Sequence, residues 1–304
     1  MSTPINITAI PALLRPGLAA IVTTGNQYPD QWTDIFTKHT SDKEREIEVE
    51  VKSLGLAQLK QEAASLAYGS MNQTYTTTYI NRYVAIGFII TRQAIMDNLY
   101  KSQFPMQAES LKRSLKQTKE ILGASVLNNG FDTAYPIGDG KPVFSTTHPI
   151  SGGPGVVANT FSVQADLSEA SLQDALIAVQ KFRDAAGLLE NNKVTKLVVP
   201  AELQFTADRI LESQFRTGTA NNDISAVYNM NAVPMGYRVN QYLTDTNAWF
   251  LMTDAQNGFK YYEREPVSVD TYVDFDTKNV KASSIERYSF GVTNFRAGFG
   301  SSGA

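Results

Sequence analysis

Histidine is the side chain best suited to acid–base chemistry near neutral pH, and the chain has two, His39 and His148. His148 lies three residues after Ser145, so a serine nucleophile with a histidine base is one arrangement to consider. The sequence places no carboxylate beside this ring, and it lacks the Gly-x-Ser-x-Gly turn that exposes the nucleophile in many hydrolases. We interpret His148 as a loop histidine that hydrogen-bonds to the backbone. A hydrolase that uses Ser145 and His148 is the enzyme alternative.

Two other patterns share features with ligand sites without completing one. The glycine-rich stretch at 152–155 lacks the Lys and Ser/Thr that follow in a phosphate-binding loop. Asp270, Asp274 and Asp276 are predicted to share one face of a strand, where carboxylates do not wrap a cation as a calcium loop does. The absence of cysteine excludes thiolate metal ligands, disulfides and a cysteine nucleophile. The sequence therefore predicts no cofactor, no metal and no enzyme.

A group of cations lies on one side of a helix predicted at residues 106–128. Because helix positions three and four apart share a face, these cations are candidates for contact with nucleic acid at an inner surface. A solvated helix face is the alternative. The formal net charge of −3 is unlike that of a protein that coats duplex DNA. The candidate residues are Lys112, Arg113, Lys116 and Lys119.

Length and composition indicate one or two folded units. The chain has 304 residues, of which 42% are apolar and 19% charged, as in core-forming proteins. Residues 10–22 are interrupted by Arg15-Pro-Gly17 and follow no basic residue, unlike a signal peptide. The longest strongly apolar run, at 85–90, is far shorter than the roughly 20 residues of a membrane span. We expect a soluble protein made inside the cell, with no membrane partner.

Residues 46–90 predict an extended β-hairpin. Glutamates alternate with β-branched residues at 46–51, which predicts a strand with one acidic and one apolar face. A run rich in Thr, Tyr, Ile and Val at 74–90 predicts the second strand. Because an isolated two-stranded hairpin is marginal in water, we expect it to contact a neighbouring subunit. The candidate contact residues are Glu46, Glu48, Glu50, Tyr75, Tyr79, Arg82 and Tyr83.

In the rest of the chain, helix-rich and strand-rich stretches are segregated, which indicates an α+β fold. A short helix is expected to end before Pro105, since the residue preceding proline avoids the helical region. The next helix carries an apolar stripe at Leu111, Leu115, Thr118, Leu122 and Ser125. The predicted helices are at 93–100, 106–128, from a cap at Asp166 or Ser168 to 186, and at 202–215. The predicted strands are at 196–200, 237–243, 248–253, 259–263, 267–276 and 280–292.

Several short motifs follow one another along residues 75–300: Tyr75-Thr-Thr-Thr-Tyr79, Gly87-Phe-Ile-Ile-Thr91, Asp97-Asn-Leu-Tyr100, Gln117-Thr-Lys-Glu120, Asp139-Gly-Lys-Pro-Val-Phe-Ser145, Thr147-His-Pro149, Leu167-Ser-Glu-Ala-Ser171, Thr217-Gly-Thr-Ala-Asn-Asn-Asp223, Leu243-Thr-Asp245, Ala248-Trp-Phe250 and Glu286-Arg-Tyr-Ser-Phe-Gly291. In this order they make the chain resemble the major head subunits of Mu-like phages and prophages, a branch of the Hong Kong 97-like capsid proteins. Residues 1–45 carry no such motif.

The resemblance implies a structural major capsid protein that assembles into hexamers and pentamers of an icosahedral head shell around phage double-stranded DNA. It also implies the virion as location, assembly in the host bacterial cytoplasm, and a scaffolding protein and a portal protein as partners besides the chain itself. An encapsulin-like compartment shell and another virion component such as a tail tube are the alternatives. The implied Hong Kong 97-like divisions are an N-terminal arm (1–45), an extended loop (46–90), a peripheral domain (91–194) with its spine helix (106–128), an axial domain (195–265) and return strands of the peripheral domain (266–304).

Overall fold

A computed structural model describes residues 18, 20, 29–62, 65, 66, 68–96, 100–150, 155–215 and 223–304. Most of the predicted arm lies outside the described residues, as do most of the polar loop at 217–223 and three of the four residues of the glycine-rich stretch at 152–155. In chain order the strands are β1 (Thr37–Thr40), β2 (Arg45–Val51), β3 (Gln73–Ile80), β4 (Arg82–Ile90), β5 (His148–Pro149), β6 (Val156–Val157), β7 (Val194–Val199), β8 (Tyr237–Val239), β9 (Trp249–Thr253), β10 (Phe259–Val273), β11 (Val280–Val292) and β12 (Gly298–Ser301). The helices are α1 (Arg92–Met96), α2 (Tyr100–Asn128), α3 (Glu169–Gln180), α4 (Gln204–Leu211) and α5 (Ala226–Asn229), and short 3₁₀ turns lie at Trp32–Asp34, Ala201–Leu203 and Phe295–Ala297.

The described strands form two four-stranded sheets and two hairpins. The first sheet has the order β1-β10-β11-β4, and the second sheet has the order β12-β9-β7-β8. Both are mixed, because β1 runs parallel to β10 and β8 runs parallel to β7, while the other pairs are antiparallel. β2 pairs with β3, and β5 pairs with β6. Each large sheet therefore joins strands from distant parts of the sequence.

Helix α2 covers one face of the first sheet. Its Leu111 and Leu115 pack against Val269 of β10 and Val280 of β11. Along β11 buried residues alternate with half-buried ones, as expected for a strand with one covered face. Pro266 has no amide proton to donate, and the pairing of β10 with β11 shifts between Glu263 and Glu265 and again between Glu265 and Ser268, the stretch that contains this proline. The strands predicted at 259–263 and 267–276 are therefore one irregular strand.

The second sheet builds a separate core with α3 and α4. Ser168 begins α3 with a capping box, in which Ser168 and Ser171 exchange side-chain and backbone hydrogen bonds. Leu172 and Val179 of α3 then pack against the sheet, whose strand β7 is fully buried at Leu197. Of the two predicted caps, Asp166 and Ser168, the structure has Ser168, and the helix ends at Gln180, six residues before the predicted end at 186.

A third cluster of aromatic side chains joins the two sheets. Trp32 stacks near Tyr261 of the first sheet, with ring centroids 4.4 Å apart, and Phe144 packs near Phe250 of the second sheet at 5.2 Å. Leu127, at the C-terminal end of α2, lies in the same cluster and is fully buried. Because dense apolar contacts resist deformation, the two sheets and α2 form a continuous body on which the hairpin is mounted.

The sequence prediction of one strand at 74–90 is wrong, because the run divides at Asn81. β3 completes the hairpin with β2, whereas β4 crosses to the first sheet and pairs with β11. The buried Asn81 amide donates to Ser41 Oγ and to the Lys43 carbonyl oxygen, both at 2.9 Å, and its side-chain oxygen accepts from Ser289 Oγ. These hydrogen bonds fix the crossing, so the described hairpin ends at Ile80 and not at residue 90.

The predicted domain boundaries also differ from the packing. α3, predicted within the peripheral segment 91–194, packs on the second sheet, and β10 begins at Phe259 inside the segment predicted as axial, 195–265. β12, predicted among the return strands of 266–304, pairs with β9 of the second sheet. The chain passes between the two sheets more often than a division into successive segments allows.

Helix α2 begins earlier and faces differently than predicted. It runs through Pro105, because the missing amide removes one hydrogen bond near the N-terminal end of a 29-residue helix. Leu111 and Leu115 of the predicted stripe are buried, but Leu122 is 38% exposed. In the C-terminal half the buried face passes through Ala124 and Leu127 instead. The predicted stripe is correct only in its first half.

Candidate subunit interface

The hairpin has two parts with different surroundings. We call β2 and β3 the hairpin base and residues 52–72 between them the hairpin tip. The predicted strand with alternating glutamates is confirmed as β2, which pairs with β3 through the register Glu48↔Thr77. The glutamates of this strand provide most of the contacts that connect the base to the body.

Glu48 lies against two residues of β10. Its carboxylate forms an ion pair with Lys260 and accepts a hydrogen bond from the Tyr262 hydroxyl. Burial raises the pKa of the Glu48 carboxyl, but the hydrogen bonds from Lys260 and Tyr262 outweigh it, so the pKa lies below its ordinary value. Burial, followed by the hydrogen bond to Glu48, raises the pKa of the Tyr262 hydroxyl. The ionised carboxylate is thus the form that this part of the base stabilises.

Glu50 lies against Arg296 in the turn before β12. Nη1 of Arg296 donates to Glu50 Oε1 at 2.7 Å. Nε of the same guanidinium donates to the Arg183 carbonyl oxygen at 2.6 Å and lies 3.5 Å from the Glu190 carboxylate. Burial raises the pKa of Glu190, although Arg296 opposes this shift. Arg296 is 2% exposed, and it joins the hairpin base to the loop after α3.

Tyrosines of β3 hold the other strand of the base. Tyr79 is almost fully buried, and its hydroxyl lies 2.5 Å from Thr293 Oγ1. Its ring fits against Gly291, where an added Cβ would lie 2.7 Å from the Tyr79 Cε1 atom. Burial raises the pKa of the Tyr79 hydroxyl, so it stays protonated. The Tyr75 hydroxyl donates to the Pro149 carbonyl oxygen at 3.2 Å.

The hairpin tip is apolar and exposed, and it has fewer contacts with the body than the base, whose own exposed apolar side chains are Ile47, Val51 and Ile80. Its first residue with a body contact is Ser53, which donates to Asp184. Beyond it, large apolar side chains project into solvent, with Leu59 fully exposed and Tyr68 91% exposed. Clustered exposed apolar groups mark an interaction surface in a soluble protein. The exposed members are Leu54, Leu56, Leu59, Leu66, Tyr68 and Met71.

The structure gives the predicted contact residues different surroundings. Glu48, Glu50, Tyr75 and Tyr79 contact the body of their own chain. Glu46 accepts a hydrogen bond from Ser41 Oγ at 2.8 Å and pairs with Lys43. Arg82 and Tyr83 are exposed on β4, where the Arg287 guanidinium lies 4.5 Å from the Tyr83 ring centre. Subunit contact through these residues stays a prediction. Sequence reasoning missed Lys260 and Arg296, the partners of the glutamates.

The cations predicted to face DNA lie largely against the body. Lys119 forms a 2.6 Å ion pair with the buried Glu286 of β11, and Lys116 lies 3.2 Å from Asp30. Lys112 is 7% exposed, so its side chain packs within the body. Lys112 is buried and Lys119 half-buried, so this helix face is not fully solvated as the alternative assumed, and Glu286 of the first sheet and Asp30 of the preceding chain attract Lys119 and Lys116. Arg113 is exposed, and DNA contact there stays a prediction.

His148 has a carboxylate partner that the sequence did not indicate. Its Nδ1 lies 2.5 Å from Asp139 Oδ2, its Nε2 lies 3.1 Å from Asn159 Oδ1, and its ring stacks on Phe295 at 3.8 Å. Both ring nitrogens are occupied and the side chain is fully buried, so no substrate reaches it. The Ser145 hydroxyl is placed 3.3 Å from Thr147 Oγ1. The cluster fixes a loop and offers no nucleophile–base pair.

The acidic residues near the end of β10 also contribute to the structure of their own chain. Asp274 and Asp276 lie in the turn after the strand, not on its face as predicted. Asp274 pairs with Lys281 at 2.9 Å, and hydrogen bonds from Lys281 and Thr277 hold the pKa of its carboxyl below the ordinary value. Within the described ranges, no three His, Asp or Glu side chains are grouped as metal ligands. None of the described helices has both the length and the apolar composition of a membrane span.

Comparison with known proteins gives a family match and a shared fold. Residues 74–300 match the family model described as phage capsid protein. No curated protein sequence matches the chain. The capsid of an empty GTA particle is similar to it with a TM-score of 0.55 and 14% identity, over 91% of this chain and 90% of that one.

Two further solved structures have the same arrangement. The procapsid of bacteriophage JBD30 has a TM-score of 0.55 and 14% identity, over 99% of this chain and 76% of that one. A virus-like particle from Pyrococcus furiosus has a TM-score of 0.51 and 10% identity, over 94% of this chain and 97% of that one. At such identities the likeness concerns the fold, and it extends over nearly the whole chain.

Proposed function

The chain belongs to the phage capsid protein family, and we propose that its subunits form pentamers and hexamers that close into an icosahedral head shell around double-stranded DNA. It is a structural capsid protein with the Hong Kong 97-like α+β fold, and its place is the shell of the virion. Its role is structural and not enzymatic. The predicted family, fold class and structural role are thereby confirmed.

The observation that carries the proposed assembly is the exposed hairpin tip. Its apolar side chains project from a base that is fastened to the body, so the tip is held away from its own core. Burying a leucine side chain fully contributes roughly 1.5–3 kcal/mol, which is available to a neighbouring subunit. We therefore assign the tip to the surface of an adjacent subunit in the shell.

Each such contact need not be strong. A standard protein–protein interface buries roughly 1,600 Å² in total, and its affinity depends on more than its area. In a closed shell every subunit contacts several neighbours, so modest contacts act together. Contacts between unlike surfaces close into rings when the rotation between copies allows it. The tip of one subunit and the body of the next form such an unlike pair.

The remaining partners follow from the same role. We assign a scaffolding protein and a portal protein as assembly partners, with assembly in the host bacterial cytoplasm and DNA inside the finished shell. The net charge of −3 supports contact with DNA by proximity only, without a strongly basic binding surface. Arg113, exposed on α2, is the remaining candidate among the four predicted cations. Arg82 and Tyr83 on β4 remain candidates for subunit contact.

A compartment shell that encloses protein instead of DNA is the second candidate. It is favoured by the likeness of the fold to the virus-like particle from Pyrococcus furiosus. Shells purified from phage-producing cells distinguish the two by their contents. Nuclease-protected DNA inside the shell supports a head, whereas a protein cargo without DNA supports a compartment.

Electron microscopy of the purified protein, expressed alone and with a candidate scaffolding protein, tests the proposed assembly. We expect closed shells or free pentamers and hexamers. Open tubes under all conditions would contradict a head shell and favour a tail component. A small species of uniform mass under all conditions, measured by light scattering, would contradict self-assembly.

A further inference from the structure

The angle at which the hairpin leaves the body depends on two buried cations. Lys260 of β10 is 5% exposed and Arg296 is 2% exposed. Each pairs with a glutamate of the hairpin base, Lys260 with Glu48 and Arg296 with Glu50. Glu48 and Glu50 both reach the body, although the pairing of β2 with β3 shifts between Val49 and Val51. The base is therefore fastened at two successive points along one strand.

The two cations belong to different parts of the body. Lys260 lies in the first sheet, while Arg296 also contacts the Arg183 carbonyl oxygen and Glu190 in the loop next to the second sheet. An unpaired buried charge is strongly unfavourable, so each cation holds its glutamate in place. Loss of either ion pair would release one of the two glutamates from its cation and let the hairpin turn about the other. The direction of the hairpin thus depends on both sheets.

Strand geometry gives the size of this effect. Glu48 and Glu50 are about 6.6 Å apart along β2, at about 3.3 Å per residue. Leu59 at the tip lies up to roughly 30 Å beyond Glu50 if the chain is extended. If the hairpin turns about Glu48, a displacement of about 1 Å at Glu50 therefore moves the tip by roughly 5–6 Å. Such a movement is large enough to bring different residues of a neighbouring subunit into contact with the tip.

We infer that Lys260 and Arg296 are positioning residues that set the direction of the hairpin and, through it, the angle between neighbouring subunits in the shell. This inference rests on the proposed contact of the tip with a neighbour. Shell diameter depends on the angle between subunits, so the two ion pairs determine which shell size forms. Both cations are buried within their own subunit and act through the hairpin.

Paired spin labels measure the hairpin direction in unassembled subunits. The chain has no cysteine, so Leu59→Cys at the tip and Gln117→Cys on the exposed face of α2 give two specific labels. In the Glu48→Gln and Glu50→Gln double variant we expect the distance distribution between the labels to broaden or shift by several ångströms. Glu62→Gln is the control, because it makes the same type of substitution once, at an exposed position of the tip. We expect it to leave the distribution unchanged.

An exchanged ion pair separates positioning from general destabilisation. We expect Glu48→Lys to disturb the label distance, and Glu48→Lys combined with Lys260→Glu to restore it together with a uniform shell diameter in electron micrographs. Circular dichroism establishes that each variant is folded. Label distances and shell diameters equal to wild type in the folded double variant would overturn the inference. If wild-type subunits form no shells, the proposed function fails, while the label distances still decide whether the ion pairs position the hairpin.

Discussion

The hairpin base and the hairpin tip reverse the usual distribution of polar and apolar residues. The base places carboxylates and tyrosine hydroxyls against the body, in contact with Lys260, Arg296 and Thr293. The tip leaves leucines, a tyrosine and a methionine in solvent. The two parts belong to one hairpin, so their difference reflects their partners: the base contacts its own chain, and the tip is available to another.

This difference teaches that charged residues in such a hairpin specify direction, while apolar residues supply affinity. Buried ion pairs are weak evidence for stability, because desolvation of both partners offsets their attraction. They are geometrically specific, since only one arrangement satisfies both charges. Exposed leucines do not impose one geometry in this way, but they provide apolar surface area that a neighbouring subunit can bury. Substitutions in the two parts therefore have opposite expected effects on subunit stability and on assembly.

The largest loss of stability is expected from Arg296→Ala in the base. The substitution leaves Glu50 and Glu190 without their cation and removes the bond to the Arg183 carbonyl oxygen. Breaking a buried ion pair by removing one partner costs about 3–5 kcal/mol. Chemical denaturation of the subunit measures the free energy of unfolding. Arg45→Ala, at an exposed position on β2, is the control and is expected to change it by less than about 0.5 kcal/mol.

A smaller loss of stability is expected when a methyl group is added at Gly291 of β11, where the hairpin base packs on the body. In Gly291→Ala the new Cβ meets the buried ring of Tyr79 at 2.7 Å, so the ring or the strand must move. Overpacking of this kind costs about 1–3 kcal/mol. Gly55→Ala is the matched change in the tip, where nothing lies within 4 Å of the added atom. Equal thermal stability of the two variants would contradict the contrast between a base that packs tightly on the body and a tip that does not.

The pH dependence of Glu48 gives a further test of the base. Because the pKa of Glu48 is lower in the folded protein, its ionised form stabilises the fold above the ordinary value of 4.5, and this contribution is lost as the pH falls through the folded pKa. In denaturation experiments from pH 7 downward, we expect the difference between wild type and Glu48→Gln to shrink below about pH 5. A difference that stays constant down to pH 3 would contradict this role.

The pKa of the Glu120 carboxyl on α2 is shifted in the opposite direction from that of Glu48. Burial raises its pKa to about 7, although it accepts hydrogen bonds from the Gln31 and Trp32 amides at 2.8 and 2.9 Å. The folded protein therefore binds this proton more tightly, and the contribution to stability is present below pH 4.5 and lost as the pH rises through about 7. Between pH 5 and 8 we expect wild type to lose stability relative to Glu120→Gln. A parallel pH profile of the two proteins would contradict the raised pKa.

The sequence was sufficient to predict the elements whose evidence is local. Alternating glutamates predicted β2, the capping residues Asp166 and Ser168 predicted the start of α3 to within two residues, and the order of short motifs predicted the family. The partners of Glu48 and Glu50 were not predictable, because Lys260 and Arg296 are brought there by the pairing of strands that are distant in sequence. The acidic face of β2 indicated that positive partners exist, but nothing in one sequence distinguishes an intrachain partner from a neighbouring subunit.

The same limit applies to the surroundings of the cations on α2. Helical spacing placed Lys112 and Lys119 correctly on α2, but their exposure depended on which face of the helix the first sheet covers. Glu286 on β11 attracts Lys119 into the body, and this strand lies near the other end of the sequence. The break at Asn81 was likewise invisible, because its hydrogen bonds to Ser41 and Ser289 depend on the assembled sheet. Helical periodicity indicates which residues share a face, but tertiary contacts decide whether that face packs on the body or is exposed to solvent.

The smallest change in subunit stability is expected where the effect on assembly is greatest. Leu56 and Leu59 in the tip are 81% and fully exposed, so Leu56→Ser with Leu59→Ser removes no contact of the isolated subunit. We expect its free energy of unfolding to stay within about 0.5 kcal/mol of wild type, while closed shells disappear or need a markedly higher protein concentration. Denaturation and light scattering of the same preparations measure both quantities. Lys60→Ser, a polar change in the same segment, is the control and is expected to leave assembly intact. Normal shells from the double leucine variant would show that the apolar tip is not the contact on which assembly depends.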